Sequence, residues 1–295
     1  MSELDRKIRA AVIQMNSGAD PDRNIECALT LMESAITEQS ANLIVLPENF
    51  LCYGSSGLPA LMSSLDTYLE SLSSFAKKHS VTLVAGSIPH CASSVLTDVA
   101  PHQNMFCVDM PAGAISNTGK FFSRSLVIDA KGQVVGAYDK CHLFDVDVED
   151  GFSNYRESET YAAGSASVVA TVEGLGLGLS ICYDLRFPDL YQHLVDLGAK
   201  LITVPSAFTA VTGKAHWEVL LRARAIETQC YVIAANQWGD HGKGRETWGH
   251  SMIVDPWGEI VAECTTGISY CVAEIELDKL ARVRKAIPVQ QHKRF

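Results

Sequence analysis

Cys182 stands where the apolar, glycine-lightened run Gly176-Leu177-Gly178-Leu179-Ser180-Ile181 breaks into Tyr183-Asp184-Leu185-Arg186-Phe187-Pro188. The pattern predicts a strand that ends at a thiol and turns into a proline-started helix. A thiol at such a turn is held out of the sheet, near the backbone N–H groups that follow it. Those donors can lower a thiolate pKa and can stabilise an oxyanion on an attacked carbonyl. Taken alone, the segment fits a core cysteine at a strand end, because free cysteines are among the most buried residue types. Two other segments change that reading.

Leu43-Ile44-Val45-Leu46 is a short apolar run that reads as a buried parallel strand, closed by Pro47. Glu48 follows at its carboxyl end, the edge of an open α/β sheet where ligands bind. A carboxylate against an apolar wall there could serve as a general base, and a solvated loop glutamate is the plainer alternative. The third segment is Gly136-Ala137-Tyr138-Asp139-Lys140-Cys141-His142-Leu143-Phe144, after a hairpin of Phe122 to Asp129 and Gln133 to Tyr138. A lysine at a strand end is ordinarily a solvated edge charge. Lys140 lies just ahead of the Leu143-Phe144 pair, which would turn its ammonium inward toward a partner.

Glu48, Lys140 and Cys182, in that order and in those contexts, resemble the nitrilase superfamily of carbon–nitrogen hydrolases. The resemblance runs over nearly the whole chain. It includes Pro205-Ser206-Ala207-Phe208, Thr212 to Glu218, Leu221 to Glu227, Gly249-His250-Ser251-Met252, Asp255-Pro256-Trp257-Gly258 and Ile287-Pro288-Val289. Cys182-Tyr183-Asp184 in place of Cys-Trp-Glu speaks for an amide substrate rather than a nitrile. The resemblance is strongest to the Nit branch, whose amidases act on deaminated glutathione or on ω-amides of 2-oxo acids.

This resemblance implies a thioester mechanism. Cys182 would attack the amide carbonyl, Glu48 would shuttle the proton, and Lys140 with the Tyr183 N–H would hold the oxyanion. Glu157 would be a second glutamate orienting Lys140, with Glu149 and Glu159 as nearby competitors for the role. Arg186 could grip a substrate carboxylate or brace the turn through Asp184. Phe208, Thr209 and Tyr53 would line the pocket. No metal or cofactor is implied. An N-carbamoyl amine substrate and a catalytically silent scaffold are the other readings, and the intact Glu-Lys-Cys set argues against the second.

The elements that must position these residues follow from alternating strand and helix patterns. Strands are expected at Ile8 to Gln14, Leu43 to Leu46, Thr82 to Ala85, Ser167 to Val172, Leu175 to Ile181 and Leu201 to Val204. Four more are expected at Tyr231 to Ala235, Met252 to Val254, Ile260 to Ala262 and Tyr270 to Glu276. Helices are expected at Asn24 to Thr37, Thr67 to Lys78, Leu190 to Leu197 and His216 to Thr228. The family fold is α/β, a four-layer α-β-β-α sandwich, and no linker divides residues 1–295, which read as one domain. The stretch from Ile88 to Gly119 is long and aperiodic.

Gly174, Gly176 and Gly178 mimic a phosphate loop but lie in a strand pattern, where they would relieve crowding. His142 and His216 are expected to be structural. The formal charge of −10 argues against nucleic acid or an anionic membrane as partner, and the resemblance implies a small-molecule amide as substrate. Nine scattered cysteines without a Cys-x-x-Cys pair, and a start with no apolar signal region, fit a reducing cytoplasmic compartment. Family analogy and the tail ending in Phe295 suggest a homo-oligomer, most simply a dimer.

Overall fold

Successive residues of the first strand, Ile8–Gln14, point into two different cores. Ile8, Ala10 and Val12 belong to one, and Ala11 and Ile13 to the other. A period-two strand covered on both faces must behave in this way. A computed structural model describes residues 7–91, 106–109 and 119–294 of the chain. One sheet runs Tyr161–Ala162, Phe121–Ile128, Thr82–Val84, Leu43–Val45, Ile8–Gln14, Ser269–Ile275, with Ile88–Cys91 and Val134–Asp139 also paired to Phe121–Ile128. A second runs Ile260–Glu263, Met252–Val254, Tyr231–Ala234, Ala199–Thr203, Leu175–Leu179, Ala166–Val172, Phe106–Asp109. Each has a parallel centre and antiparallel flanks.

The sheets pack face to face, and Val134–Asp139 lies against Ala166–Val172. At Gly136 they approach so closely that a Cβ would sit 2.7 Å from that of Ala170. Helices Pro21–Gln39 and Leu65–His79 cover the outer face of the first sheet through Ala28, Met32, Ala35, Leu72 and Ala76. Pro188–Asp196 and Ala210–Thr228 cover the second through Leu190, Leu194, Trp217, Leu221 and Ala225. This is the α-β-β-α order expected from the family resemblance.

The expected elements are present, with boundaries moved by caps. The first helix begins at Pro21 because the Asp20 side chain accepts from the N–H groups of Asp22 and Arg23. Its end is closed by Ser40 in the left-handed region. The long helix starts at Ala210 rather than His216, capped by Thr209, which accepts from the Thr212 N–H. Gly213 stays inside that helix because a Cβ there would meet the Trp248 side chain at 2.2 Å. Gly174 is not part of a strand. It sits at φ +75° in the turn between Ala166–Val172 and Leu175–Leu179, while Gly176 and Gly178 lie within the latter. A Cβ at Gly176 would fall 2.4 Å from the Gly198 carbonyl, so the crowding expected there is real.

Two strands, Ile88–Cys91 and Phe106–Asp109, occupy parts of the aperiodic stretch, and the rest of it lies outside the described residues. Phe295, expected to anchor on a neighbouring protomer, also lies outside them. A helix at Leu277–Ala286, absent from the pattern reading, follows the last strand and buries Leu280 and Val283.

Because Gly136 sets the spacing of the two sheets, Gly136→Ala is expected to lower stability by about 1–3 kcal/mol through overpacking. Gly18→Ala, where a Cβ meets nothing within 4 Å, is expected to stay within about 1 kcal/mol of the parent. Urea unfolding of the two variants beside the parent checks both values.

Candidate active site

Glu48, Lys140 and Cys182 each follow the carboxyl end of a strand: Leu43–Val45, Val134–Asp139 and Leu175–Leu179 respectively. Glu48 is seated by its backbone. Its carbonyl accepts from Gln237 Nε2 at 3.0 Å, and the next N–H, of Asn49, donates to Ser87 Oγ. The Pro47 carbonyl lies against Gly86, where a Cβ would come within 1.9 Å of it. Only glycine at position 86 lets the glutamate turn sit there.

Lys140 is pinned from both sides. Its N–H donates to Ser123 O at 2.9 Å, and its carbonyl accepts from Gly164 at 2.8 Å. Arg124 grips Asp139 with two parallel bonds of 2.7 Å, locking the hairpin that delivers the lysine. The ammonium is 2% exposed. It donates to Glu48 Oε1 at 2.7 Å and to Glu157 Oε1 and Oε2 at 2.9 and 2.8 Å. Glu157 opens the short turn after Asn154–Arg156 and also accepts from the Phe144 N–H at 2.7 Å. Of the three nearby glutamates it is the one that meets Lys140.

Burial works against the Lys140 ammonium, but the charges of Glu157 and Glu48 outweigh it and hold its pKa well above the ordinary value. Burial raises the Glu157 carboxyl, partly opposed by Lys140. Cys182 sits at φ 48° at the head of the turn Cys182–Arg186, its N–H bonded to Pro205 O at 2.9 Å. A non-glycine residue in that region costs on the order of 1–3 kcal/mol unless its surroundings impose it. Its buried thiol lines the same cavity as Glu48 and Lys140 and feels the charge of both. The sequence reading allowed neighbouring donors to lower the thiolate pKa. Burial, reinforced by the Glu48 charge, instead pushes the thiol well up against the pull of Lys140. The resting group is therefore a protonated thiol.

All nine side chains singled out from the sequence line one cavity of about 350 Å³. Tyr53 stacks on His241 with ring centroids 3.9 Å apart. The Arg186 guanidinium lies 5.3 Å from the Phe208 ring and 5.9 Å from the Tyr183 ring, with a 3.3 Å contact to His216 Nδ1. It does not bond Asp184, so the alternative of a brace through that residue is not found. Thr209 faces the cavity and caps the following helix. Among the described residues no group of three or more His, Cys, Asp or Glu side chains could hold a metal ion.

Sequence reasoning missed two contributors. Arg245 reaches the cavity from a loop between Trp238–Asp240 and Glu246–Trp248, outside the segments that carried the resemblance. Asp184, fully buried, ties the nucleophile turn to the lysine loop. Its Oδ2 accepts from Tyr138 Oη at 2.7 Å and the Ile181 N–H at 2.9 Å, and its Oδ1 accepts from the His142 N–H at 3.0 Å. His142 Nδ1 is 2.7 Å from the same Oδ1, and its ring stacks on Phe187 at 3.6 Å. An aspartate two residues after a candidate nucleophile was the available signal.

The carbon–nitrogen hydrolase family matches residues 9–285. A deaminated glutathione amidase of Synechocystis sp. is 39% identical over 293 residues, 97% of this chain and 98% of the relative. A protein of the same name from Yersinia enterocolitica is 51% identical over 171 residues, which span 58% of this chain and only 60% of that relative. The crystal structure of the C. elegans NitFhit protein superposes with a TM-score of 0.81 at 37% identity, over 98% of this chain and 65% of that one.

Asp184→Ala would strand buried donors on both loops at once. It is expected to cost about 3 kcal/mol in urea unfolding. At a temperature where the variant remains folded, turnover is expected to fall at least tenfold, because both loops lose their register. Undiminished turnover would show that the brace is dispensable.

Proposed function

The chain belongs to the carbon–nitrogen hydrolase family, and from that premise we propose a thiol amidase for a small carboxylate-bearing amide, deaminated glutathione by preference. The observation that carries the reading is the convergence of buried Cys182, Glu48 and Lys140 on one cavity, with Glu48 held by Lys140 at 2.7 Å. The thiol proton passes to Glu48 as sulfur attacks the amide carbon. Negative charge then moves to the carbonyl oxygen, where Lys140 and the Tyr183 N–H can receive it. One such donor is worth about 3 kcal/mol in the transition state. Glu48 returns the proton to the departing amine, leaving a thioester. It then takes a proton from water, which attacks the thioester and frees the acid and the thiol. Glu157 acts through Lys140, keeping the ammonium aimed as Glu48 changes charge. Arg186, beside the nucleophile, suits a carboxylate on the acyl part. The shared name of the curated relatives supports deaminated glutathione as the substrate.

Cys182→Ala and Glu48→Gln are each expected to cut the release of 2-oxoglutarate from deaminated glutathione by at least about 10³-fold. Melting points should stay near that of the parent for Cys182→Ala. A variant retaining a tenth of the parent rate would overturn the corresponding role.

We also propose a homodimer or larger assembly working in the cytoplasm. Ile226, Trp257 and Ile287 are each about half exposed and border one apolar depression, which a second copy would cover. The seven described cysteines are free, as a reducing compartment would leave them. No described helix is long and apolar enough to cross a membrane. Sedimentation is expected to give at least twice the 32.0 kDa chain mass. A monomer independent of dilution would refute the assembly.

A further inference from the structure

Arg245 borders the cavity without any of the partners a guanidinium normally keeps. Its Nε is buried with no hydrogen-bond partner, and no carboxylate among the described residues pairs with it. The side chain is held by stacking, with its guanidinium carbon 3.9 Å from the Phe152 ring centroid and 6.0 Å from that of Tyr155. Stacking uses the face of the group and leaves its in-plane N–H donors free. The backbone beneath is fixed. Arg245 N–H donates to Gly242 O at 3.1 Å, and its carbonyl accepts from the His241 N–H at 2.9 Å. The loop also meets the one before Asn154–Arg156 glycine to glycine. A Cβ on Gly244 would lie 2.5 Å from Gly151 O. A guanidinium with a buried, unpartnered Nε on so rigid a support is suited to an anion that arrives with the substrate.

Arg186 cannot be its duplicate. Arg186 belongs to the nucleophile turn and contacts Tyr183 and Phe208, while Arg245 contacts Phe152 and Tyr155. The Phe144 ring intervenes, 5.1 Å from both Tyr183 and Tyr155. With the acyl carboxylate assigned to Arg186 as proposed above, the acyl group on sulfur would lie on the Arg186 side. The amine that leaves must occupy the rest of the cavity.

We propose that Arg245 binds a second carboxylate, on the leaving-amine side of the scissile bond. The substrate class is then an amide with a carboxylate on each side of the cleaved bond. Deaminated glutathione is such a molecule, through its 2-oxo acid and its terminal glycine, whereas a simple ω-amide has only the first carboxylate. This inference rests on the amidase reading above.

The experiment pairs Arg245→Gln with a deaminated glutathione analogue whose glycine carboxylate is a carboxamide. Each change alone is expected to lower kcat/KM about ten- to a hundredfold, mostly through KM. Combined, they should cost little more than either alone, because both remove one contact. Arg245→Lys should recover part of the loss. Arg186→Lys should lower kcat/KM on both substrates. Losses that multiply, or a carboxamide processed as well as the acid by the parent, would overturn the inference. If the parent hydrolyses neither compound, the amidase reading falls by itself. Calorimetry on Cys182→Ala then decides Arg245 independently: at least tenfold tighter binding of the acid than of the carboxamide, abolished by Arg245→Gln, upholds it. Equal binding refutes it.

Discussion

One buried ammonium shared by a buried and a partly buried carboxyl group governs this molecule. Removing Lys140, Glu48 and Glu157 from water carries a desolvation cost of several kcal/mol for each charge, repaid only where geometry is tight and every donor is used. That requirement explains the elaborate seating of each partner. The lysine backbone is bonded on both sides, the glutamate turn rests on a glycine, and Glu157 is fixed by the Phe144 N–H. Three strand ends and one short turn must converge within hydrogen-bond distance, and the face-to-face sheets are what bring them there.

The same sharing sets the state of the Cys182 thiol. A lysine already bonded to two carboxyl groups has little charge left to favour a thiolate, and burial with Glu48 nearby disfavours it further. A thiol that keeps its proton until an electrophile arrives is protected from casual alkylation and oxidation, since thiolate is the reactive form. The arrangement therefore places activation in the encounter with the amide carbonyl rather than in the resting site. The left-handed backbone of Cys182, at the head of the turn that carries Tyr183, is the kind of strain kept at functional turns.

Much of this was legible in the chain because the chemistry sits at strand ends, and strand ends leave local marks. Leu-Pro-Glu, the hairpin before Lys140 and the glycine-rich strand before Cys182 each couple a period-two pattern to a reactive residue. Helix starts were less legible, since Asp20 and Thr209 act through single side-chain caps that outweigh weak helix formers such as Val211, Thr212 and Gly213. Asp184 and Arg245 were hidden for a different reason. Their partners lie 42 to 46 residues away in one case and 90 or more in the other, so only the folded sheets reveal what they touch. The direction of the thiol shift was hidden too, because it depends on total burial rather than on the turn.

The cavity thus has two kinds of wall. Glu48, Lys140 and Cys182 come from the ends of sheet strands, whose register is fixed by buried neighbours on both faces, so their geometry can hardly drift. Phe152 and Arg245 come from hairpin loops that meet each other through Gly151 and Gly244, and Tyr155 from the short two-stranded ribbon beside them, all outside the two main sheets. Changes there alter which amine fits without disturbing how the bond is broken. Arg186 stands between the two, anchored on the nucleophile turn yet facing the cavity. A carboxylate bound by Arg186 would be positioned relative to sulfur, whereas the hairpin wall would select what lies beyond the scissile bond. That division lets a fixed amide-cleaving centre acquire a particular substrate through its loops.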